Sequence, residues 1–250
     1  MRLFGVVNAS PDSLHTESIV DSAESAVARA TALIAAGADA VDVGGQGSTD
    51  IATVVDWRVE WERLRRIIPA VAGLGVDVSV DTWRPEVAER ALSAGATVLN
   101  AADGMQQPEM WGIAADHEVP VVVPFLSGPN PRAMTLVGRD PIEAITEFFA
   151  ARLAEADRYG MRERCILDPG TGFAPPNWAW EERYLYQRDV YTRLDELRHF
   201  GRPLYVALPW RRTDQHDELL EIVVRSRPEY GRAHHPDRVR DLEARLIPEA

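Results

Sequence analysis

The sequence predicts a single (β/α)8 barrel, and two observations support that fold class. Short runs of Val, Ile and Leu without polar alternation recur along the 250 residues, and a segment compatible with a helix follows most of them. Apolar runs of this kind are typical of parallel strands that are buried on both faces. The length is typical of an eight-unit barrel, and no linker or low-complexity stretch divides it. We therefore expect one domain over residues 1–250.

The apolar runs predict the strands, and the segments between them predict the helices. Two strands follow a glycine, Gly37 or Gly95, which is suited to the left-handed end of the preceding helix. A charged tail from about Pro236 predicts a last helix. The predicted strands are 3–7, 40–43, 76–80, 97–99, 119–125, 165–167, 204–208 and a less apolar eighth at 229–234; the helices are 22–36, 59–73, 85–94, 109–116, 141–160, 184–200 and 217–224.

Composition excludes several classes of function. The net charge of −12 argues against a nucleic-acid or anionic-membrane partner, so small-molecule chemistry is expected. All 27 basic residues are Arg, which excludes a lysine Schiff base and a P-loop lysine. The one cysteine, Cys165, excludes a disulfide and suits a packed thiol in a reducing compartment. With no signal-peptide or membrane-span pattern, the protein is expected to be cytoplasmic.

Polar side chains follow most of the predicted strands. Asp168, in the stretch Ile-Leu-Asp-Pro-Gly-Thr-Gly-Phe, could by itself be a turn residue. Active sites of such barrels lie where the strands end, however, and several polar ends at one mouth are costly unless a ligand uses them. Carboxylates and amides suit the donor and acceptor edge of an aminopyrimidine ring. The polar ends are Asn8, Asp42, Asp81, Asn100, Asp168, Arg211 with Arg212, and Arg232 with His234.

Four of these strand ends carry motifs that resemble those of the dihydropteroate synthase family. They are Asn-Ala-Ser-Pro-Asp-Ser at 8–13, Val-Asp-Val-Gly-Gly at 41–45, Ser-Val-Asp-Thr at 79–82 and Ile-Leu-Asp-Pro-Gly-Thr-Gly-Phe at 166–173. The resemblance spans about the first 210 residues, in the family's order. It implies a pterin-binding barrel of folate biosynthesis, in which 6-hydroxymethyl-7,8-dihydropterin diphosphate loses its diphosphate and the amine of 4-aminobenzoate captures the carbon.

The resemblance also implies roles for individual residues. Asp81, Asn100 and Asp168 would hold the pterin, with Asp81 close to the developing positive charge. Asn8 would face a Mg²⁺ ion and the diphosphate. Members of the family are often homodimers, so a homodimer is expected by resemblance. Arg232 and His234 look like the family's Arg-x-His on the last strand, which grips the diphosphate. The full set of expected site residues is Asp81, Asn100 and Arg211 for catalysis, with Asn8, Asp168, Phe173, Arg232 and His234 added for substrate binding.

The sequence departs from the family pattern mainly on one side of the site. Asp50 stands where the family has an anion-facing Arg, and Arg211 stands where it has a Lys. These changes leave open a divergent paralogue that binds a pterin without diphosphate chemistry; a pterin-dependent methyltransferase is a further alternative. The aromatic run Trp178, Trp180, Tyr184 and Tyr186 favours loop packing or a dimer contact over ring stacking. The other departures are Ala101 for an Asp, Pro124-Phe125 for Met-His, Ala174-Pro175 for Gly-Lys, and Pro209-Trp210 for Ser-Arg.

Overall fold

The computed structural model describes residues 1–13, 15–48, 52–135, 138–173 and 178–247. In these ranges eight parallel strands form one sheet that curls into a barrel, with the helices outside it, which confirms the predicted (β/α)8 fold. The strands are β1 (Arg2–Asn8), β2 (Ala40–Gly44), β3 (Asp77–Thr82), β4 (Val98–Ala101), β5 (Val121–Pro124), β6 (Cys165–Asp168), β7 (Tyr205–Ala207) and β8 (Tyr230–Ala233). The α-helices are α1 (Ala23–Ala35), α2 (Trp57–Leu64), α3 (Ile67–Ala72), α4 (Pro85–Ser93), α5 (Pro108–Asp116), α6 (Pro141–Arg158), α7 (Trp180–Thr192), α8 (Asp214–Ser226) and α9 (Pro236–Leu246).

The strand order places the ends of the chain side by side. The order around the sheet is β6-β5-β4-β3-β2-β1-β8-β7, so β1 pairs with both β2 and β8. Between β6 and β7 the described residues form one isolated bridge, Leu167 with Leu204, where Leu167 N donates to Pro203 O at 2.9 Å. The barrel is therefore closed by a single link at this junction.

Two apolar layers support the barrel. One lies between the sheet and the helices and contains most of the buried Val, Leu, Ile and Ala side chains. The other fills the inside of the barrel near its amino end. Because side chains alternate along a strand, the residues two positions further on also face inward, and these include the polar ones at the strand ends. The inner layer consists of Phe4, Ala40, Val98, Val122, Ile166 and Tyr205.

Two predicted helices are wrong in their extent. The helix expected over 59–73 is divided into α2 and α3, because Pro69 lacks an N–H and its ring clashes with the carbonyl four residues earlier, at Arg65. The helix expected over 184–200 begins earlier, at Trp180, where the Glu182 side chain accepts from Ala179 N at 2.9 Å. It ends at Thr192 and is followed by a 3-10 helix over Leu194–Phe200.

The last helix packs on α8 and also holds the first residue of the chain. Arg240 on α9 donates to Met1 O at 2.9 Å and to Gly37 O at 3.0 Å. The carboxyl-terminal helix therefore forms part of the outer layer around β1.

Among the described residues, no helix combines the length and the apolar character that a membrane span needs.

A buried ion pair fixes the loop that follows β3. Glu60 on α2 is fully buried, accepts a hydrogen bond from Thr82 Oγ1 at 2.7 Å and pairs with the Arg84 guanidinium. Burial raises the pKa of Glu60, and the contacts with Thr82 and Arg84 oppose that rise. The pair holds the backbone one to three residues beyond Asp81, so it helps to position that carboxylate.

We expect Arg84→Ala to lower the free energy of unfolding by about 3–5 kcal/mol, because the substitution leaves the Glu60 carboxylate buried without its cation. Urea denaturation at pH 7 measures this. Arg65→Ala, which removes a solvent-exposed pair with Glu62, is the matched control and should change the free energy of unfolding little. A loss for Arg84→Ala no larger than that of the control would contradict the assignment.

Candidate active site

The polar strand ends meet at a cavity of about 480 Å³ at the carboxyl end of the barrel. Asn8, Asp81 and Arg232 line it from the strands. Its outer walls come from the loops after β1, β2, β5, β6 and β7 and from α7, and they carry the aromatic side chains Phe173, Trp178, Trp180 and Trp210. The cavity therefore has a charged end toward the barrel and an aromatic end toward the solvent.

Arg232 lies between two carboxylates at the charged end. Its Nε donates to Asp42 Oδ2 at 2.5 Å, and its Nη2 donates to Asp81 Oδ2 at 3.2 Å. Asn100 Nδ2 donates to the other oxygen of Asp42 at 3.3 Å. Asp42 is completely buried, and each of its two oxygens accepts a hydrogen bond from one of these partners. The side chains at the ends of β2, β3, β4 and β8 thus form one hydrogen-bonded group.

Asp168 ends β6, where its carboxyl interacts electrostatically with Arg232 and Asp42, and it also starts a turn. Its Oδ1 accepts a hydrogen bond from Gly170 N at 2.8 Å. Gly170 has a φ of +73°, and a Cβ there would lie 2.0 Å from Phe125 O; at Gly172 a Cβ would lie 2.7 Å from Ala207 Cβ. The glycines of the motif are therefore required by close packing, and the turn presents a carboxylate that is 5% exposed.

Burial of several carboxylates around one guanidinium shifts their pKa values. Burial, and then the charge of Asp42, raises the pKa of Asp81 to about 7. Burial also raises the pKa of Asp168 to about 7, against the hydrogen bond from Gly170. For Arg232 burial acts to lower the pKa, but Asp42 and Asp81 more than compensate and raise it above its ordinary value. The site is therefore short of hydrogen-bond donors.

Asn8 ends β1 on another side of the cavity. Its amide nitrogen donates to Ser13 Oγ at 3.1 Å and to Ser18 Oγ at 2.6 Å. With both amide hydrogens engaged in this way, the oxygen Oδ1 is the group that remains for a ligand. In the described ranges no group of three or more His, Cys, Asp or Glu side chains could hold a metal ion. A metal in this cavity would thus need oxygen donors from its ligand.

The structure brings together most of the expected site residues, but not all. Asp81, Asn100, Asp168 and Arg232 form the charged group. Arg211 is exposed at the outer end, with its guanidinium 5.2 Å from the centre of the Trp210 ring. Phe173, His234 and Asn8 line the same cavity.

The departures from the family pattern have different surroundings. Asp50 and the Ala174-Pro175 pair lie outside the described residues. Ala101 is completely buried on β4, and Phe125 packs edge-on against Phe148 with ring centres 5.4 Å apart. Trp210 borders the cavity directly.

Three features of the site do not follow from the sequence pattern. Asp42 is a predicted strand end, but its pairing with Arg232 depends on barrel closure. His15 has no metal-cage spacing and no predicted role, yet it lines the cavity. Trp178 and Trp180, expected to pack a loop or a dimer contact, line the cavity while also packing against Tyr186 and His216 at 5.2 and 4.1 Å.

Comparison with known proteins gives a consistent family. Residues 4–209 match the family described as pterin binding enzyme. A dihydropteroate synthase of Synechocystis sp. is 36% identical over 211 residues, which is 82% of this chain and 70% of the relative. The structure of the Thermus thermophilus dihydropteroate synthase in complex with 4-aminobenzoate superimposes with a TM-score of 0.80 at 30% identity, covering 98% of this chain and 93% of that one. A Thermus thermophilus structure in complex with 6HMPPP gives 0.77 at 28% identity, covering 98% and 92%.

We expect Asp168→Asn to stabilise the empty protein at pH 8 by an amount on the order of 2 kcal/mol. Asp168 has a pKa of about 7 when folded, so between that value and its ordinary range the folded chain binds a proton that the unfolded chain does not. The wild type therefore gains stability as pH falls through 7, whereas the neutral amide does not. The advantage of the variant should shrink from pH 8 to pH 5 in urea denaturation.

Asp116→Asn, an exposed aspartate at the end of α5, is the matched control for this measurement and should show no such pH dependence. An Asp168→Asn protein that is less stable than the wild type at pH 8 would be evidence against an energetic cost of burying this carboxylate.

Proposed function

Because the chain belongs to the dihydropteroate synthase family of pterin-binding enzymes, we propose that it condenses 6-hydroxymethyl-7,8-dihydropterin diphosphate with 4-aminobenzoate or a related arylamine. This is a transferase reaction of folate biosynthesis. The observation that carries the proposal is the set of polar strand ends at the inner end of one cavity: Asp81 lines the cavity, and the buried Asn100 and Asp168 end the strands β4 and β6. Its excess of acceptor oxygens matches a ring edge that offers several N–H donors.

Recognition of the pterin follows from this match. A 2-amino-4-oxopyrimidine edge presents an amino group and a ring N–H side by side, and a carboxylate can accept from both. Asp168 Oδ1 accepts a hydrogen bond from Gly170 N, which fixes the orientation of the carboxylate and leaves its other oxygen for the ring. Asn100 adds an amide that can donate or accept. In each of these hydrogen bonds the ring would provide a donor that the protein itself does not offer to these oxygens.

The reaction breaks the bond between the pterin methylene carbon and the diphosphate oxygen, and it forms a bond from that carbon to the arylamine nitrogen. The diphosphate leaves with the electron pair, and the amine loses a proton. Positive charge develops on the pterin and methylene as the diphosphate departs, and the carboxylate of Asp81 stabilises it. Arg232 lies beside Asp81. We expect its guanidinium to break one carboxylate contact and to bind a diphosphate oxygen instead.

The residues present are compatible with Mg²⁺ bound together with the substrate. This ion usually keeps several waters and takes one or two protein oxygens with phosphate oxygens. Asn8 Oδ1 is such an oxygen, because both of its amide hydrogens are engaged by serines. When bound there, the ion would neutralise charge on the leaving diphosphate.

The outer, aromatic end of the cavity suits the arylamine. Phe173 and Trp210 offer ring faces, and Arg211 offers a cation for the carboxylate of 4-aminobenzoate. The Thermus thermophilus relative was determined in complex with 4-aminobenzoate, which supports 4-aminobenzoate as the second substrate. The homodimer and the cytoplasmic location remain predictions from the resemblance and the composition.

The function is tested by incubating the protein with the pterin diphosphate, 4-aminobenzoate and Mg²⁺ and measuring dihydropteroate. We expect product from the wild type and a fall in kcat/KM of about 1,000-fold or more for Asp81→Ala, which removes the carboxylate nearest the developing charge. Asp116→Asn should retain full activity. A wild-type protein that binds the pterin but forms no product with any arylamine would favour the divergent paralogue instead.

The buried carboxylates also predict how pterin binding depends on pH. Asp81 and Asp168 have pKa values of about 7, and below this pH each becomes protonated and loses acceptor capacity. The affinity for 6-hydroxymethylpterin should therefore fall below pH 7, by up to about tenfold per pH unit for each carboxyl that has to be ionised. Calorimetry between pH 5.5 and about 7.5 measures it, and Asp168→Asn should bind weakly throughout with a shallower slope. Affinity that stays constant or rises toward low pH would contradict the assignment.

A further inference from the structure

Three histidines meet at the side of the cavity that lies near Asn8. The rings of His15 and His234 are stacked, with centres 4.4 Å apart and planes 17° from parallel. His15 Nε2 lies 3.2 Å from His235 Nε2, and Trp210 packs against both stacked rings at 5.0 and 5.6 Å. His15 comes from the loop after β1, whereas the other two histidines directly follow β8. Two distant parts of the chain thus place imidazoles together.

The loop after β1 is built so that His15 stays in this position. Ser13 Oγ accepts a hydrogen bond from His15 N at 3.2 Å, and Ser18 Oγ donates to His15 O at 2.6 Å. The same two serines hold the amide of Asn8. His15 is 6% exposed and lines the cavity. Its placement is therefore fixed relative to the residue proposed to face the diphosphate.

The stacked pair contains polar atoms that the protein leaves unsatisfied. His15 Nδ1 and His234 Nδ1 are both buried, and neither has a hydrogen-bond partner among the described residues. An unmade hydrogen bond at a buried nitrogen costs free energy. Burial, followed by Arg232, lowers the pKa of His234 to about 2, and burial, followed by His235, lowers the pKa of His15. Both shifts favour the neutral form of the two rings.

The charged groups around the pair come from several elements. Arg29 on α1 faces both rings, and Arg232 on β8 faces His234. Glu17, two residues beyond His15, is the acid that favours its protonation, and His235 disfavours it. Asp12 lines the same cavity. With two arginines close to the pair, an added proton is stable only when an anion is bound beside it.

We propose that His15 is a further anion-binding residue of this site: when a diphosphate arrives, the stacked His15–His234 pair takes up one proton from solvent and binds a phosphate oxygen. This inference rests on the proposed function for the identity of the anion. One proton is enough, because two stacked imidazolium rings would repel each other, whereas a single charge can be shared with the bound anion. The bound pyrophosphate product would leave as the pair loses that proton.

The chain offers a variant that separates anion binding from packing. His15→Phe keeps a planar ring against His234 and Trp210 but removes both ring nitrogens. The probe is inorganic pyrophosphate with Mg²⁺, titrated by calorimetry at pH 6 and pH 8. His199→Asn, an exposed histidine in the 3-10 helix over Leu194–Phe200, is the control. Pyrophosphate also titrates in this range, but it does so identically for all proteins, so the variants are compared at each pH.

We expect His15→Phe to bind pyrophosphate about tenfold more weakly than the wild type at pH 6 and nearly as well at pH 8, while His199→Asn matches the wild type at both. Proton uptake, measured in buffers of different ionisation enthalpy, should fall by about one proton in His15→Phe at pH 6. Equal binding of the two proteins, or a loss of the same size at both pH values, would overturn the proposal.

A second probe keeps this result separate from folding and from the proposed function. 6-Hydroxymethylpterin, which lacks the diphosphate, should bind His15→Phe as it binds the wild type; if it does not, His15→Asn is used in the same titrations. If the wild type forms no dihydropteroate but His15→Phe still shows the pH-dependent loss of pyrophosphate binding, the proposed function is refuted and the anion-binding role stands. If the wild type is active but His15→Phe binds pyrophosphate as the wild type does, the anion-binding role is refuted and the proposed function stands.

Discussion

The excess of buried negative charge at the carboxyl end of the barrel is the constraint on which the site depends. Asp42, Asp81 and Asp168 come from three strands; the Arg232 guanidinium contacts the first two, and its charge acts on the third. Burying carboxylates without enough donors is unfavourable, so the surrounding backbone has to hold them in place. The ion pair of Glu60 with Arg84 and the tight turn at Gly170 do this for two of the three strands. The buried carboxylates therefore lower the stability of the fold at the place where we propose that a ring with N–H donors binds.

The sequence was sufficient to predict the barrel and the meeting of its polar strand ends. Parallel strands end on the same side, so Asp81, Asn100 and Asp168 could be placed together without any coordinates. The pairing of Asp42 with Arg232 could not be predicted, because it depends on β8 closing against β1 and on which oxygen each guanidinium nitrogen reaches. The split between α2 and α3 could have been predicted, since Pro69 lies inside the expected helix.

The loops were less predictable than the strands. His15 lies in a loop whose path is fixed by serine hydroxyls, and no spacing in the sequence indicates that it would stack on His234. Arg211, expected among the catalytic residues, is exposed at the outer end of the cavity, and its guanidinium lies 5.2 Å from the centre of the Trp210 ring. The inner half of the cavity thus retains polar residues of the family motifs, whereas its outer half is lined by tryptophans.

The single bridge between β6 and β7 has a mechanical consequence. Elsewhere in the described barrel, neighbouring strands share between two and five registered residue pairs, but this junction has one. Asp168 lies on one side of it and Ala207 on the other, with Gly172 packed close to Ala207. Separating the two strands slightly breaks few hydrogen bonds, so the wall of the cavity is most compliant there. The longer ladders that join β1, β2 and β3 hold the carboxylates of β2 and β3 in register.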